Sequence, residues 1–146
     1  MSSRSTVAAL VCTASLIVSS AESSAVSAAA AAKSVGTPGQ IAWVRSAATR
    51  FVTAELAGDG ASACDVLNAP LRATEHGRTC AQRWDARLTR LLRESGTRTR
   101  LRAQERAIAS AAVVVRGGDA TISLPTPLTG SENRFVWSEN CWMLAG

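Results

Sequence analysis

Two short turns in the last third of the chain constrain its fold more than any other feature. The first is Gly117-Gly118, and a two-residue glycine loop between alternating apolar runs favours a tight β-hairpin with a primed turn. Counting outward from this loop places Val115 opposite Ala120, whereas a three-residue turn would set Val115 against Thr121 and mix polar with apolar side chains. The two-residue register creates one apolar face, which comprises Ala111, Val113, Val115, Ala120, Ile122 and Leu124.

The second turn, Glu139-Asn140, predicts another hairpin over residues 134–144. The same counting pairs Trp137 with Trp142, so both rings lie on one face of the sheet. The predicted inner face comprises Phe135, Trp137, Trp142 and Leu144, and the predicted outer face comprises Val136, Ser138, Cys141 and Met143. Two hairpins with a shared apolar face need a cover, which the preceding chain must supply.

A long amphipathic helix is predicted to begin the folded part of the chain. Thr37 can cap it, with Pro38 at its first position and Gln40 placed to complete a capping box. Gly58 ends the apolar period, so the helix is about 17 residues long. Its predicted inward residues are Ile41, Val44, Ala48, Phe51, Val52 and Leu56.

Two further helices are predicted before the hairpins. Asp59 can cap a short one over residues 60–67 that Pro70 ends, and a third helix covers about residues 79–94. Its apolar side carries Cys80, Trp84, Leu88, Leu91 and Leu92. Residues 97–110 are expected to begin with a turn of helix and then to lead into the first strand.

The first 32 residues have the order of a secretory signal peptide. Arg4 precedes a mostly apolar run from Val7 to Val18, and a segment rich in serine and alanine then offers a small-residue exit at residues 26–28. A retained membrane anchor is the alternative, although this run is shorter than the roughly 20 residues that cross a bilayer. The chain is therefore expected to be secreted or held in the cell envelope.

Removal of such a leader leaves three cysteines in an oxidising compartment, where two of them should pair. We predict a disulfide between Cys64 and Cys80, because both lie in the helical half of the chain. Cys141 is then left on the outer face of the sheet, either as a buried thiol or as a link to a partner. A zinc site is disfavoured, since His76 is the one histidine and no C-x-x-C pattern occurs, and we predict no cofactor.

Arginines are concentrated on the third predicted helix and the segment after it. They are Arg83, Arg87, Arg90, Arg93, Arg98, Arg100, Arg102 and Arg106. The same segment contains three acidic residues, Asp85, Glu94 and Glu105, so its net charge equals the formal net charge of +5 of the whole chain. Such a segment can bind an anionic polymer or lipid surface, or it can be a solvated face in a chain that uses arginine instead of lysine. Nucleic acid is disfavoured as a partner, because an exported protein rarely meets it and Trp84 is the one aromatic residue among these arginines.

The order of these elements resembles the nuclear transport factor 2-like superfamily. The resemblance covers residues 41–144 and is carried by the helix through Phe51 into Gly58-Asp59-Gly60, by segment 113–122 and by the terminal 140–144. The leader and the Ala/Arg-rich composition are similar to small secreted actinobacterial members of that superfamily. The resemblance implies an α+β domain in which three N-terminal helices pack on a curved antiparallel sheet made of two C-terminal hairpins.

The domain boundaries implied are a signal peptide over residues 1–32, a linker over 33–40 and a cone-shaped domain over 41–146. In such a cone, one set of apolar side chains would either surround a cavity or fill it. This possible pocket lining comprises Phe51, Trp84, Val113, Ile122, Phe135, Trp137 and Trp142.

Three functions are compatible with this pattern. The first is a non-catalytic binding module that presents the cone mouth or the outer sheet face to a protein, and that face could also form a homodimer. The second is a carrier of a small apolar ligand. The third is an isomerase or cyclase, but the chain has no tyrosine to stabilise an oxyanion. Its candidate general bases are Asp85 at the rim and His76, which is expected in a loop. We therefore assign no catalytic residue and favour the binding module.

Overall fold

A computed structural model describes residues 34–128 and 133–145 of the chain. Over these residues an α+β fold places all the helices before an antiparallel sheet. The helices are α1 (Pro38–Ala57), α2 (Gly60–Asp65), α3 (Ala69–Arg72), α4 (Cys80–Leu91) and α5 (Thr97–Ser110). The strands are β1 (Val113–Arg116), β2 (Asp119–Ile122), β3 (Arg134–Ser138) and β4 (Cys141–Leu144).

The predicted leader lies outside the described residues. Of the helices that the structure describes, none is long and apolar enough to span a bilayer.

The predicted start and end of the long helix are confirmed. The backbone N–H of Gln40 donates to Thr37 Oγ1 at 3.2 Å, and the N–H of Thr37 donates to Gln40 Oε1 at 2.9 Å. Gly58 ends α1 in the left-handed conformation, with a φ of 72° that favours glycine. Local side-chain chemistry therefore sets both ends of the helix that covers the sheet.

The prediction of three helices was wrong, because the described residues form five. Pro70 lies inside the short α3 and does not end the preceding helix, since proline is tolerated in a first helical turn that Asn68 caps. The larger error concerns residues 107–110, which continue α5 and do not lead into a strand. The buried residues of α5 recur at helical spacing, but only two of the four are aliphatic. They are Thr97, Leu101, Gln104 and Ile108.

Both predicted hairpin registers are confirmed. Val113 pairs with Ile122 in the first hairpin and Trp137 with Trp142 in the second, and β2 pairs with β3 to join them in the order β1-β2-β3-β4. The two turns reach the same twist in different ways. Glu139 and Asn140 both have positive φ, as in a type I′ turn.

In the first turn, between β1 and β2, only Gly117 has a positive φ, of 60°, and Gly118 does not. A positive φ at the first central position alone is the pattern of a type II′ turn. The primed turn predicted for this hairpin is therefore of type II′.

Both edge strands of the sheet are covered by other parts of the chain. Val35 donates to Val113 O at 2.8 Å and accepts from Val115 N at 2.7 Å, so residues 34–36 of the predicted linker extend the sheet beside β1. At the other edge Leu144 donates to Val66 O at 2.8 Å. These contacts satisfy backbone groups that an open edge would expose to another chain.

The core lies between α1 and the inner face of the sheet. Its fully buried side chains include Phe51 on α1 and Phe135 on β3. The disulfide joins Cys64 on α2 to Cys80 on α4, as predicted, with the two Cα atoms 6.0 Å apart. It fixes the short α2 to the helix against which it packs.

The outer face of the sheet is less open than the sequence indicated. Met143 is 1 % exposed, while Cys141 and Val136 are half-buried. Cys141 Sγ lies 3.4 Å from Met143 Sδ. A continuous exposed apolar patch is therefore not found at these positions.

Candidate functional site

Six of the seven predicted pocket residues are buried members of one core cluster. Phe51 meets Trp84 edge to face, with ring centroids 5.3 Å apart. The seventh residue, Trp137, is different, because 42 % of it is exposed. These side chains therefore meet one another in the interior, and the surface-accessible aromatic lies at the end of β3.

Trp137 stacks on Trp43, a residue of α1 that the sequence did not assign to the inward face. Their ring centroids are 5.6 Å apart and their planes differ by 7°. Trp43 is 48 % exposed, so each ring of this pair leaves close to half of its surface open. We call Trp43 and Trp137 the tryptophan pair.

The tryptophan pair is anchored to the core. Trp142 packs edge-on against Trp137 with centroids 5.5 Å apart, and Trp142 itself is only 4 % exposed. The backbone N–H of Trp137 donates to Gly118 O at 2.8 Å, which places the ring beside the first hairpin turn. Aromatic contacts on one side and a backbone hydrogen bond on the other hold the exposed indole in position.

A groove of about 340 Å³ runs between α1 and α2. Its lining combines polar and charged side chains with a larger accessible area of apolar atoms, and it comprises Thr49, Arg50, Thr53, Ala54, Ala57, Asp59, Ser62 and Asp65. Within the described part of the chain, the side chains of Arg50 and Asp65 make no hydrogen bond or ion pair. The groove therefore holds one positive and one negative group that remain available to a ligand.

Asp59 at the end of this groove has a structural task. Ser62 Oγ donates to Asp59 Oδ2 at 2.6 Å, and the N–H of Ser62 donates to Asp59 Oδ1 at 2.9 Å. These two hydrogen bonds lower the pKa of Asp59. The carboxylate thus caps α2 and stays ionised at the groove end.

A second polar feature is the buried carboxyl of Glu55 in the last turns of α1. Glu55 is 5 % exposed, and burial raises its pKa from the ordinary 4.5 to about 7, against the charges of Arg87 and Arg100, which lower it. The sequence analysis missed this residue. A signal existed, because Glu55 lies four positions after Phe51 and so falls on the apolar side of the helix.

The acid and base candidates from the sequence all lie at the surface. Asp85 Oδ1 accepts from the N–H of Gly60 at 2.8 Å and so caps α2. The side chain of His76 is 89 % exposed, in a turn where it lies 3.7 Å from Glu75. Neither group reaches the inner face of the sheet.

Several arginines of the basic segment are used within the fold. Arg83 Nη1 donates to Glu75 Oε2 at 2.7 Å, and its Nη2 donates to Leu71 O at 3.1 Å. Arg87 lies over the ring of Trp84, 4.7 Å from its centroid. These contacts favour a structural interpretation for part of the arginine stripe.

Comparisons with protein-family models, with curated proteins and with solved structures find no match to this chain.

Proposed function

We propose that this chain is a non-catalytic binding module of the nuclear transport factor 2-like type, and that it makes contact through the tryptophan pair. The observation that carries the proposal is the parallel stack of Trp43 and Trp137, anchored on Trp142 and close to half exposed. Tryptophan is enriched among residues that dominate binding energies, and a rigid ring loses little conformational entropy on binding.

The polar groups support binding over catalysis. Asp85 caps a helix, and the acidic groups at the two hairpin turns form ion pairs, Asp119 with Arg134 and Glu139 with Arg72. A general base needs a reacting proton within hydrogen-bond reach in a pocket, and these carboxylates lie on the outside.

We place the module outside the cytoplasm, secreted or in the envelope. The Cys64–Cys80 disulfide is compatible with an oxidising compartment, and the N-terminal sequence pattern agrees with export.

Indole N–H signals in two-dimensional NMR test the proposal directly, because the chain has four tryptophans. A library of small planar and polar fragments should shift the signals of Trp43 and Trp137, and Trp43→Ala should abolish those shifts. Val35→Ala is the matched control, since Val35 is another exposed apolar residue, at 55 %. Shifts confined to Trp84 and Trp142 would indicate the alternative, a carrier with an interior ligand, and would refute the proposed site.

A further inference from the structure

The tryptophan pair and the groove between α1 and α2 lie along the same side of α1. With 100° per residue, Ser46, Arg50 and Ala57 fall within about 60° of Trp43 around the helix axis. Arg50 is about 10 Å along the axis from Trp43, and it lines the groove together with Asp65. We call this strip, from the tryptophan pair through Arg50 to Asp65, the α1 strip.

From this strip we propose that the protein binds a glycan chain. The proposal rests on the proposed function and adds the class of partner. Sugar rings present flat C–H faces that pack on indole rings, and they carry hydroxyl groups that hydrogen-bond to carboxylates, guanidinium groups and hydroxyls. The α1 strip offers both kinds of group, an exposed aromatic pair and, in the groove, the charged side chains of Arg50 and Asp65.

The surroundings of the tryptophan pair favour a glycan over a protein surface. The centre of a protein interface is normally ringed by contacts that exclude water. Here Trp142 packs against the pair from the core, while the exposed Ser46 on α1 and the exposed Gly117-Gly118 turn beside it offer no apolar side chain. The groove offers apolar atoms beside hydroxyl and charged groups, a combination that matches the C–H faces and hydroxyl groups of a sugar ring.

The volume of the groove also fits a small ligand. Its volume of about 340 Å³ lies within the range of roughly 300–1,000 Å³ that small-molecule sites occupy. Arg50 and Asp65 lack side-chain partners within the described residues, so a ligand's hydroxyls would replace only water there.

The test is titration of the full folded domain with cellotetraose, chitotetraose and maltotetraose, followed by the four indole N–H signals and by calorimetry. We expect at least one of them to bind with shifts at Trp43 and Trp137. Trp43→Ala should weaken binding at least tenfold, Asp65→Asn about threefold or more, and Val35→Ala should leave it unchanged. Trp43→Phe keeps a flat ring and should retain part of the affinity, which separates loss of stacking from loss of folding.

The results of these titrations distinguish the glycan proposal from the proposed binding function on which it rests. If none of the three oligosaccharides shifts Trp43 or Trp137 at millimolar concentration while fragments still do, the glycan proposal is wrong and the binding module stands. The same conclusion follows if a proline-rich decapeptide binds at the pair and the sugars do not. If neither fragments nor sugars bind there, both proposals fail.

Discussion

Gly60 and Asp85 bring α2 and α4 into direct backbone contact. The N–H of Gly60 donates to Asp85 Oδ1 at 2.8 Å, and a Cβ on Gly60 would lie 2.5 Å from the backbone N of Asp85 and 2.7 Å from Ala81 O. Only glycine allows this approach, because two of the three neighbouring atoms belong to backbone that cannot rotate away.

Gly60→Ala should therefore destabilise the protein by about 1–3 kcal/mol, as overpacking does. Gly39→Ala is the matched control: a Cβ there meets nothing within 4 Å, and alanine in α1 should raise the free energy of unfolding by up to about 1 kcal/mol. Urea unfolding followed by circular dichroism measures both. Equal effects of the two substitutions would show that α2 and α4 are not so close.

The buried Glu55 predicts an unusual dependence of stability on pH. Its folded pKa of about 7 exceeds the ordinary 4.5, so the folded state binds the proton more tightly than the unfolded state. Stability contributed by the protonated carboxyl is present below about pH 4.5, decreases as the pH rises and is lost above about 7. The total change is on the order of 3 kcal/mol.

Glu55→Gln should remove this dependence and be more stable than the parent at pH 8. Urea unfolding at pH 5, 6, 7 and 8 measures it, with Glu94→Gln as an exposed control that keeps the parent's profile. Asp59 does not interfere, because its lowered pKa gives a stabilisation that is fully present above its ordinary 3.8 and is lost only below that pH. A parent whose stability rose between pH 5 and 8 would contradict the burial of Glu55.

The Cys64–Cys80 disulfide closes a loop with a sequence separation of 16. Its loss should reduce the free energy of unfolding by about 3 kcal/mol, because the unfolded chain regains the entropy of the open loop. The double variant Cys64→Ser/Cys80→Ser tests this in urea. Adding reductant should destabilise the parent to a similar degree and leave the variant unaffected, and a reductant effect of the same size in the variant would point to another bridge.

The tryptophan pair should contribute a measurable coupling energy. Trp43→Ala, Trp137→Ala and the double variant form a cycle whose interaction term we expect to be about 0.5–1.5 kcal/mol. Strict additivity of the two single changes would mean that the rings do not stack in solution.

The sequence by itself determined the features that depend on neighbouring residues. The caps of α1, the left-handed Gly58 and both hairpin registers follow from side-chain chemistry and turn length within a few positions. The disulfide was also predictable, because the two cysteines are close in the chain and a third is far from both.

The tertiary structure alone decided the features on which the candidate site depends. Nothing local places Trp43 on Trp137, since they are brought together only when α1 lies across the sheet. The burial of Glu55 likewise depends on α4 and α5, whose arginines surround it. The helix α5 packs along α1, where Thr53 Oγ1 donates to Glu105 Oε1 at 3.3 Å. The sequence did not predict this helix, because two buried aliphatic residues form too weak a helical pattern. Turns and helix caps depend on residues that are neighbours in the sequence. The surface of the candidate site depends on contacts between segments that are distant in the sequence, and these contacts exist only in the folded chain.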